Sequence, residues 1–117
     1  MMDIKLYQIN LDREDGRSFR TLENLALMEP DPKIIRSDMY DCVFEGEVEC
    51  NDLEEVFVYF NADEIDGFTG RSMSVSDVVV VREESGENAA YFCDSGGFTL
   101  VSFDMELAKE WGKEITV

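Results

Sequence analysis

The chain has 117 residues, about the length of one domain. It carries 27 acidic and 10 basic residues, no histidine and a formal net charge of -17, although 44% of its residues are hydrophobic and 11% are aromatic. This composition excludes a disordered acidic tail, which would lack aromatic side chains, and a domain that binds DNA, RNA or anionic lipid directly through clustered Lys and Arg.

The cysteines and the lack of long apolar segments indicate a compartment. Cys42, Cys50 and Cys93 are an odd number of cysteines without a secretory context, which favours reduced thiols. No apolar run approaches the roughly 18–20 residues that a membrane span needs, and residues 1–5 lack the apolar core of a signal peptide. We therefore expect a cytoplasmic protein that does not bind a membrane.

The N-terminal part of the chain predicts one strand and one helix. Apolar and polar residues alternate over residues 4–11, which predicts a strand with one buried face. Ser18 is expected to cap a helix that runs from Phe19 to about Met28 and ends before Pro30.

The middle of the chain predicts a second strand and a second helix. Residues 38–43 fit a helical turn, whereas residues 43–50 alternate as a strand. Asn51 is expected to cap a helix that continues through Phe60, with Glu54 completing a capping box, because the apolar side chains then fall on one helical stripe.

Three further strands are predicted in the second half, over residues 74–82, 89–93 and 98–103. An acidic hairpin loop joins the first two strands, and a glycine-containing tight turn joins the next two. The four valines at residues 78–81 are typical of a central strand that is covered on both faces.

A last helix, capped by Asp104 and carrying Trp111, completes the predicted elements. Strands followed by helices in this order indicate an α+β fold. We expect an antiparallel sheet of four to five strands with two to three packed helices, in a single domain over residues 1–117.

Several segments resemble the YodL-like family. They are KLYQIN at residues 5–10, YDCVFEGEV at 40–48, LEEVF at 53–57, RSMSVSDVV at 71–79 and YFCDSGGF at 91–98. The segments follow the order of the family and span about residues 4–104, so the chain is interpreted as a single YodL-like domain.

The resemblance implies a functional context rather than a catalytic mechanism. Members of the family occur as short proteins of Firmicutes and as modules in multi-domain proteins of phages and conjugative elements. This occurrence in phages and conjugative elements implies roles in protecting an incoming element from host defences. A second theme in the family is interference with bacterial actin-like cell-shape proteins, and no catalytic residue set is implied.

Acidic residues are segregated in the middle of the sequence. Between Arg36 and Arg71 there are 34 residues without Lys or Arg, and eleven of them are acidic. A strand would place the carboxylates of Glu45, Glu47 and Glu49 on one face about 6.6–6.8 Å apart, given about 3.3–3.4 Å of rise per residue. This spacing is comparable with that of successive phosphates along one nucleic-acid strand.

These acids, the acids that follow them and the nearby tyrosines are the candidate partner-binding residues. Acids at the start of the second helix would continue the patch, because the helix dipole tolerates negative charge there, and a tyrosine would anchor the contact. The set is Tyr40, Asp41, Glu45, Glu47, Glu49, Asp52, Glu54, Glu55 and Tyr59. The alternative is a solvated strand face with ordinary helix-start acids, and tyrosines that lie in the core.

No catalytic or metal site is predicted. Without histidine, the Ser-His-Asp and Cys-His arrangements are excluded, and Asp94 beside Cys93 would raise the pKa of that thiol rather than activate it. Residues 63–66 resemble a calcium loop only superficially, because the twelve-residue ligand order with a closing Glu is missing. We expect a non-enzymatic protein without cofactors.

Charge and resemblance together predict an anti-defence function. The protein is expected to be a mobile-element-encoded inhibitor that binds the basic nucleic-acid-binding surface of a host defence nuclease, since opposite potentials steer encounter. An RNA-guided nuclease is the first candidate (an anti-CRISPR function) and a restriction enzyme the second (anti-restriction). The alternative is a regulatory protein that binds a bacterial actin-like cytoskeletal protein. The oligomeric state is left open.

Overall fold

The computed structural model describes residues 2–12, 19–27, 31, 33–35, 37–61, 70–105 and 109–110. The strands are β1 (Met2–Ile9), β2 (Tyr40–Val48), β3 (Val78–Arg82), β4 (Asn88–Asp94), β5 (Gly97–Val101) and β6 (Lys109–Glu110). The helices are α1 (Leu22–Leu25), α2 (Leu53–Tyr59) and a 3₁₀ helix over Ser37–Met39.

The strands form one sheet in the order β5-β4-β3-β1-β2-β6. Strands β1 to β5 pair antiparallel, and the two residues of β6 pair parallel with Asp41 and Cys42 of β2. The predicted α+β class with an antiparallel sheet is confirmed. The helices are shorter than predicted, and α2, with seven residues, is the longest that the described ranges contain. None of the described helices is both long and apolar enough to cross a membrane.

Strand β1 lies in the middle of the sheet and is buried on both faces, whereas the alternating pattern predicted one buried face. Ile4 and Leu6 pack with α2 on one side, and Tyr7 and Ile9 pack with α1 on the other. We call these sides the α2 face and the α1 face. The difference arises because β1 sits between β2 and β3, where both faces are covered.

Strand β3 confirms the prediction made from its valine run. Val79 packs on the α2 face, while Val78 and Val80 pack on the α1 face. The predicted strand began at residue 74, but residues 74–77 form a turn and the ladder with β1 and β4 begins at Val78.

Helix α1 is shorter than the predicted helix from Phe19 to Met28. Phe19 has a φ of 62°, which is incompatible with a helix, and Thr21 is the N-cap, with its side chain accepting a hydrogen bond of 3.2 Å from Asn24 N. Ser18 and Pro30 lie outside the described residues.

Helix α2 is close to its prediction but is shifted by one residue at its start. The N-cap is Asp52, whose Oδ1 accepts a hydrogen bond of 2.9 Å from Glu55 N. Glu55 Oε1 in turn accepts one of 3.0 Å from Asn51 N. The reciprocal pattern resembles a capping box, with Asp52 and Glu55 in the places predicted for Asn51 and Glu54.

The predicted C-terminal helix differs from the structure where the structure describes it. Lys109 and Glu110 extend the sheet as β6 instead of continuing a helix from Asp104. Residues 106–108 and 111–117 lie outside the described residues.

Candidate functional site

Glu45 and Glu47 project from the α1 face of β2, near one edge of the sheet. Lys5 stands opposite Glu45 on β1, and its Nζ lies 3.9 Å from Glu45 Oε2. The adjacent Phe44 is buried on the α2 face, as the alternation of a strand requires. Glu49 follows the last residue of β2, so two of the three predicted glutamates alternate within the strand.

The acids at the start of α2 lie on the opposite side of the sheet. Asp52, Glu54 and Glu55 are exposed, and the helix that carries them packs through Val56 on the α2 face. Glu54 Oε1 lies 4.0 Å from the position that a Cβ would take at Gly97, the first residue of β5. The predicted continuous patch is therefore two surfaces, which we call the β2 acids (Glu45, Glu47, Glu49) and the α2 acids (Asp52, Glu54, Glu55).

Within the described part of the chain, these six acids have few basic side chains close to them. All six side chains are exposed. Among the residues that the structure describes, Glu45 is the one member of the set with a Lys or Arg nitrogen within 4.0 Å. An exposed pair of this kind contributes only about 0–1 kcal/mol. Among the described residues, both surfaces therefore present mainly unpaired carboxylates.

Tyr40 and Asp41 do not belong to either surface, which corrects their predicted role as contact residues. Tyr40 is 3% exposed and its hydroxyl donates a hydrogen bond of 2.7 Å to Ser76 O. Asp41 is 2% exposed and its Oδ2 accepts one of 2.9 Å from Asn10 Nδ2. Tyr40 is buried because it packs in the core of the α1 face, with its ring centroid 5.3 Å from that of Phe103, and Asp41 lies beside the buried Gln8, its partner on β1.

Tyr59 is accessible and lies in an apolar exposed segment at the end of α2. Tyr59 and Phe57 are each 37% exposed, and Val58 is 70% exposed. This end of α2 therefore presents three exposed apolar side chains to solvent.

A buried polar cluster, which sequence reasoning did not single out as a site, joins β1 to the segment before β3. Gln8 Nε2 donates hydrogen bonds to Asp77 Oδ2 (3.0 Å) and to Arg71 O (2.8 Å). Arg71 N donates to Gln8 Oε1 (3.0 Å), and Ser74 N donates to Asp77 Oδ2 (2.9 Å). The sequence does contain a signal for this cluster, because the polar Gln8 lies on the same side of β1 as Ile4 and Leu6, and that side is buried.

Asp77 is fully buried, at 0% exposure. Its Oδ1 has no hydrogen-bond partner within the described part of the chain. Burial raises the pKa of this carboxyl from 3.8 to about 7, although the hydrogen bonds from Ser74 and Gln8 and the charge of Arg71 act in the opposite direction. The carboxyl is therefore poised to change its charge near neutral pH.

The turn before β3 holds Ser76 in a conformation that favours glycine. Asp77 N donates a hydrogen bond of 3.1 Å to Ser74 O, and Ser76 has a φ of 86°, as at the third position of a type II turn. Two contacts fix this geometry, since Phe19 N donates to Ser76 Oγ (3.0 Å) and Tyr40 binds Ser76 O. Strain of this kind costs on the order of 1–3 kcal/mol.

A cleft of about 360 Å³ lies beside the cluster, at the end of β1. Asp12, Asp41 and Arg71 line it together, so the cleft presents carboxylates as well as a guanidinium. Within it, Arg71 Nη2 donates a hydrogen bond of 3.0 Å to Ile9 O, which fastens the end of β1.

Cys93 is a buried thiol without nucleophilic character. Burial, together with the carboxylates of Asp77, Asp94 and Glu54, raises its pKa to about 12, the direction predicted from sequence. In the part of the chain that the structure describes, no three His, Cys, Asp or Glu residues converge to hold a metal ion. The segment 63–66 lies outside that part.

Comparison with known proteins identifies the family. The family model for the YodL-like domain matches residues 3–103, from β1 to just beyond β5, and this range includes the β2 acids, the α2 acids and the Asp77 cluster. No curated protein and no solved structure is significantly similar to the chain. The match covers most of the chain and agrees with the resemblance seen in its motifs, so this protein belongs to the YodL-like domain family.

Proposed function

We propose that this protein is a mobile-element-encoded anti-defence protein of the cytoplasm. It acts without catalysis, by binding the basic nucleic-acid-binding surface of a host defence nuclease. An RNA-guided nuclease is the first candidate and a restriction enzyme the second. The observation that carries the proposal is the exposure of all six β2 and α2 acids with a single cation, Lys5, paired to them in the described ranges.

The physical basis of the proposal is charge complementarity. A net charge of -17 attracts a basic groove from a distance, and exposed carboxylates then take the places of phosphates. Such a complex weakens steeply with salt, as protein–phosphate contacts do. The β2 acids are the first choice for the contact, because Glu45 and Glu47 extend from a strand and none of the three caps a helix, whereas Asp52 and Glu55 also cap α2.

The experiment compares two triple charge reversals that change the net charge equally. Glu45→Lys, Glu47→Lys and Glu49→Lys are combined in one variant; Glu83→Lys, Glu84→Lys and Glu87→Lys in the acidic hairpin loop are combined in the control. Both sets are exposed. Inhibition of the nuclease, and its capture at low but not at high salt, should be lost in the first variant and kept in the control. Equal losses in both would mean that net charge acts alone, and inhibition retained in the first would reject the β2 acids as the contact.

The exposed apolar segment at the end of α2 favours the second candidate function, binding of an actin-like cytoskeletal protein. Phe57, Val58 and Tyr59 would then make the contact, and binding would persist at high salt because apolar burial is not screened. Overexpression in a host without defence systems should change cell shape, and Val58→Lys should abolish the change. Normal rods on overexpression of the parent protein would reject this candidate.

A further inference from the structure

Strand β5 forms an outer edge of the sheet. The β4–β5 hairpin closes with Asp94 opposite Gly97, and Thr99 and Val101 follow in the same register. Closing pairs of a two-residue hairpin exchange both backbone hydrogen bonds, and bonded pairs then alternate with non-bonded ones. The N–H and C=O groups of Phe98 and Leu100 therefore point away from β4, toward the open edge.

The segment after β5 supports this assignment. The backbone N–H and C=O of Ser102 point to the same side as those of Leu100, and both are hydrogen-bonded. Ser102 N donates to Lys33 O (2.8 Å), and Ile35 N donates to Ser102 O (3.0 Å). A passing segment of the chain thus already pairs with the far end of this edge. Phe98 and Leu100 have no such backbone partner in the described part of the chain.

Within the described part of the chain, the β5 edge beside Phe98 and Leu100 also lacks the features by which proteins protect an exposed edge. Its sequence, GFTLV, contains no charged residue and no proline, and Leu100 is 61% exposed. Natural edges are usually protected by Lys or other charges, by Pro, or by a covering segment. The opposite edge has such protection, since β2 carries Glu45 and Glu47 and pairs with β6.

The charges around this edge select the chemistry of its occupant. Glu54 approaches Gly97, and Asp94 stands opposite Gly97 on β4, while Lys33 lies at the far end of the edge, beside Ser102. A second copy of the chain would bring another net charge of -17 against the first, whereas a basic segment is attracted.

We propose that the β5 edge binds an extended, Lys- or Arg-rich segment of a partner protein, which adds to the sheet as a new strand beside Phe98 and Leu100. Main-chain hydrogen bonds supply affinity in this mode of recognition, and alternate side chains supply selectivity. This surface lies at the opposite edge from the β2 acids, so the proposal stands whether or not those acids bind a nuclease.

The test uses the full chain and three synthetic ten-residue peptides. One alternates Lys with Val, one alternates Glu with Val, and one is the Lys–Val peptide N-methylated at every residue, so that neither of its edges can donate a main-chain hydrogen bond. At about ten times the dissociation constant, the Lys–Val peptide should slow exchange of the Phe98 and Leu100 amide hydrogens about tenfold, as measured by NMR. The other two peptides should leave these amides unchanged.

Variants of Leu100 separate strand addition from general charge attraction. Leu100→Pro removes the outward N–H without removing a bond to β4, and Leu100→Lys places a repelling charge on the edge; both should abolish binding. Leu100→Val, which keeps the N–H and the apolar side chain, should bind normally, and so should the Glu45→Lys, Glu47→Lys, Glu49→Lys variant. If Leu100→Pro fails to fold, the N-methylated peptide, which keeps the positive charge but cannot pair, separates the two.

Three results would overturn the proposal. One is equal protection by the Lys–Val and Glu–Val peptides, and another is protection of β2 instead of β5 by the basic peptide. The third is a dimer that forms without peptide, as detected by light scattering, and that slows exchange of the Phe98 and Leu100 amide hydrogens as the protein concentration rises. The occupant of the edge would then be a second copy of the chain.

Discussion

Gln8 and Asp77, which are 69 residues apart in the sequence, share a hydrogen bond of 3.0 Å between two side chains that are at most 2% exposed. The amide of Gln8 also binds the backbone of Arg71 in both directions. A buried carboxylate and a buried amide are costly unless they are satisfied by partners, so this pair ties the middle strand of the sheet to the turn before β3.

The first prediction concerns the pH dependence of stability. The native pKa of Asp77 is about 7, above its ordinary 3.8, so between these values the folded protein holds a proton that the unfolded chain has lost. The stability that this proton provides is complete below about pH 4 and is lost as pH rises toward 7, by about 2–4 kcal/mol at most. Asp77→Asn should remove this part of the pH dependence.

The measurement is denaturant unfolding of both proteins from pH 4 to pH 8. The other carboxylates affect both proteins alike, so the difference between the two curves reports Asp77. We expect the stability of Asp77→Asn, compared with that of the parent protein at the same pH, to be higher at pH 8 than at pH 4. Parallel curves would mean that Asp77 does not titrate in this range.

The second prediction concerns the energetic coupling of Gln8 to Asp77. Gln8→Leu keeps the size of the side chain but leaves Asp77 Oδ2, Arg71 N and Arg71 O without their amide partner, which should cost about 2–4 kcal/mol. Part of this loss should disappear when Asp77→Asn is already present. A double-mutant cycle should give a coupling of about 0.5–3 kcal/mol, and additive effects would contradict a direct interaction.

These relationships mark the limit of what local sequence pattern predicts. The alternation of apolar and polar residues predicted the positions of β1, β4 and β5, and the valine run predicted the burial of β3. Both patterns depend only on residues that are close in sequence. The strand order, with β1 between β3 and β2, depends on contacts across the whole chain. The register of Gln8 with Ile4 and Leu6 is visible in the sequence, but its partner Asp77 lies 69 residues away and no local pattern identifies it.

The candidate site was predicted in part for the same reason. The exposure of the six acids follows from their charge, and it agrees with the prediction. Their division between two faces follows from the path of the chain after β2, which no local pattern encodes. The burial of Tyr40 depends on a hydrogen bond to Ser76, 36 residues away.

The third prediction concerns Ser76, whose φ of 86° favours glycine. Ser76→Gly and Ser76→Ala both lose the hydroxyl that accepts from Phe19 N, but only alanine keeps a Cβ in the left-handed region. Ser76→Gly should therefore be more stable than Ser76→Ala by about 1 kcal/mol, measured by denaturant unfolding. The neighbouring Ser74 lacks a positive φ, so the order of its glycine and alanine variants should be reversed. The same order at both positions would contradict the strained turn.

The fourth prediction concerns Gly70, which packs directly against Gln8. A Cβ at this position would collide with Gln8 Oε1 and lie 2.9 Å from Cγ2 of Val43, and both of those residues are buried. Gly70→Ala should therefore destabilise the protein by about 1–3 kcal/mol, because the Gln8 amide is fixed by its hydrogen bonds and cannot move aside freely.

Gly96→Ala is the matched control for this substitution. A Cβ at Gly96, in the turn between β4 and β5, would meet nothing within 4 Å, and this glycine has no positive φ. Its replacement should change stability by less than about 1 kcal/mol, since it only restricts the unfolded chain. If Gly70→Ala were equally harmless, the Gln8 amide would have room to move.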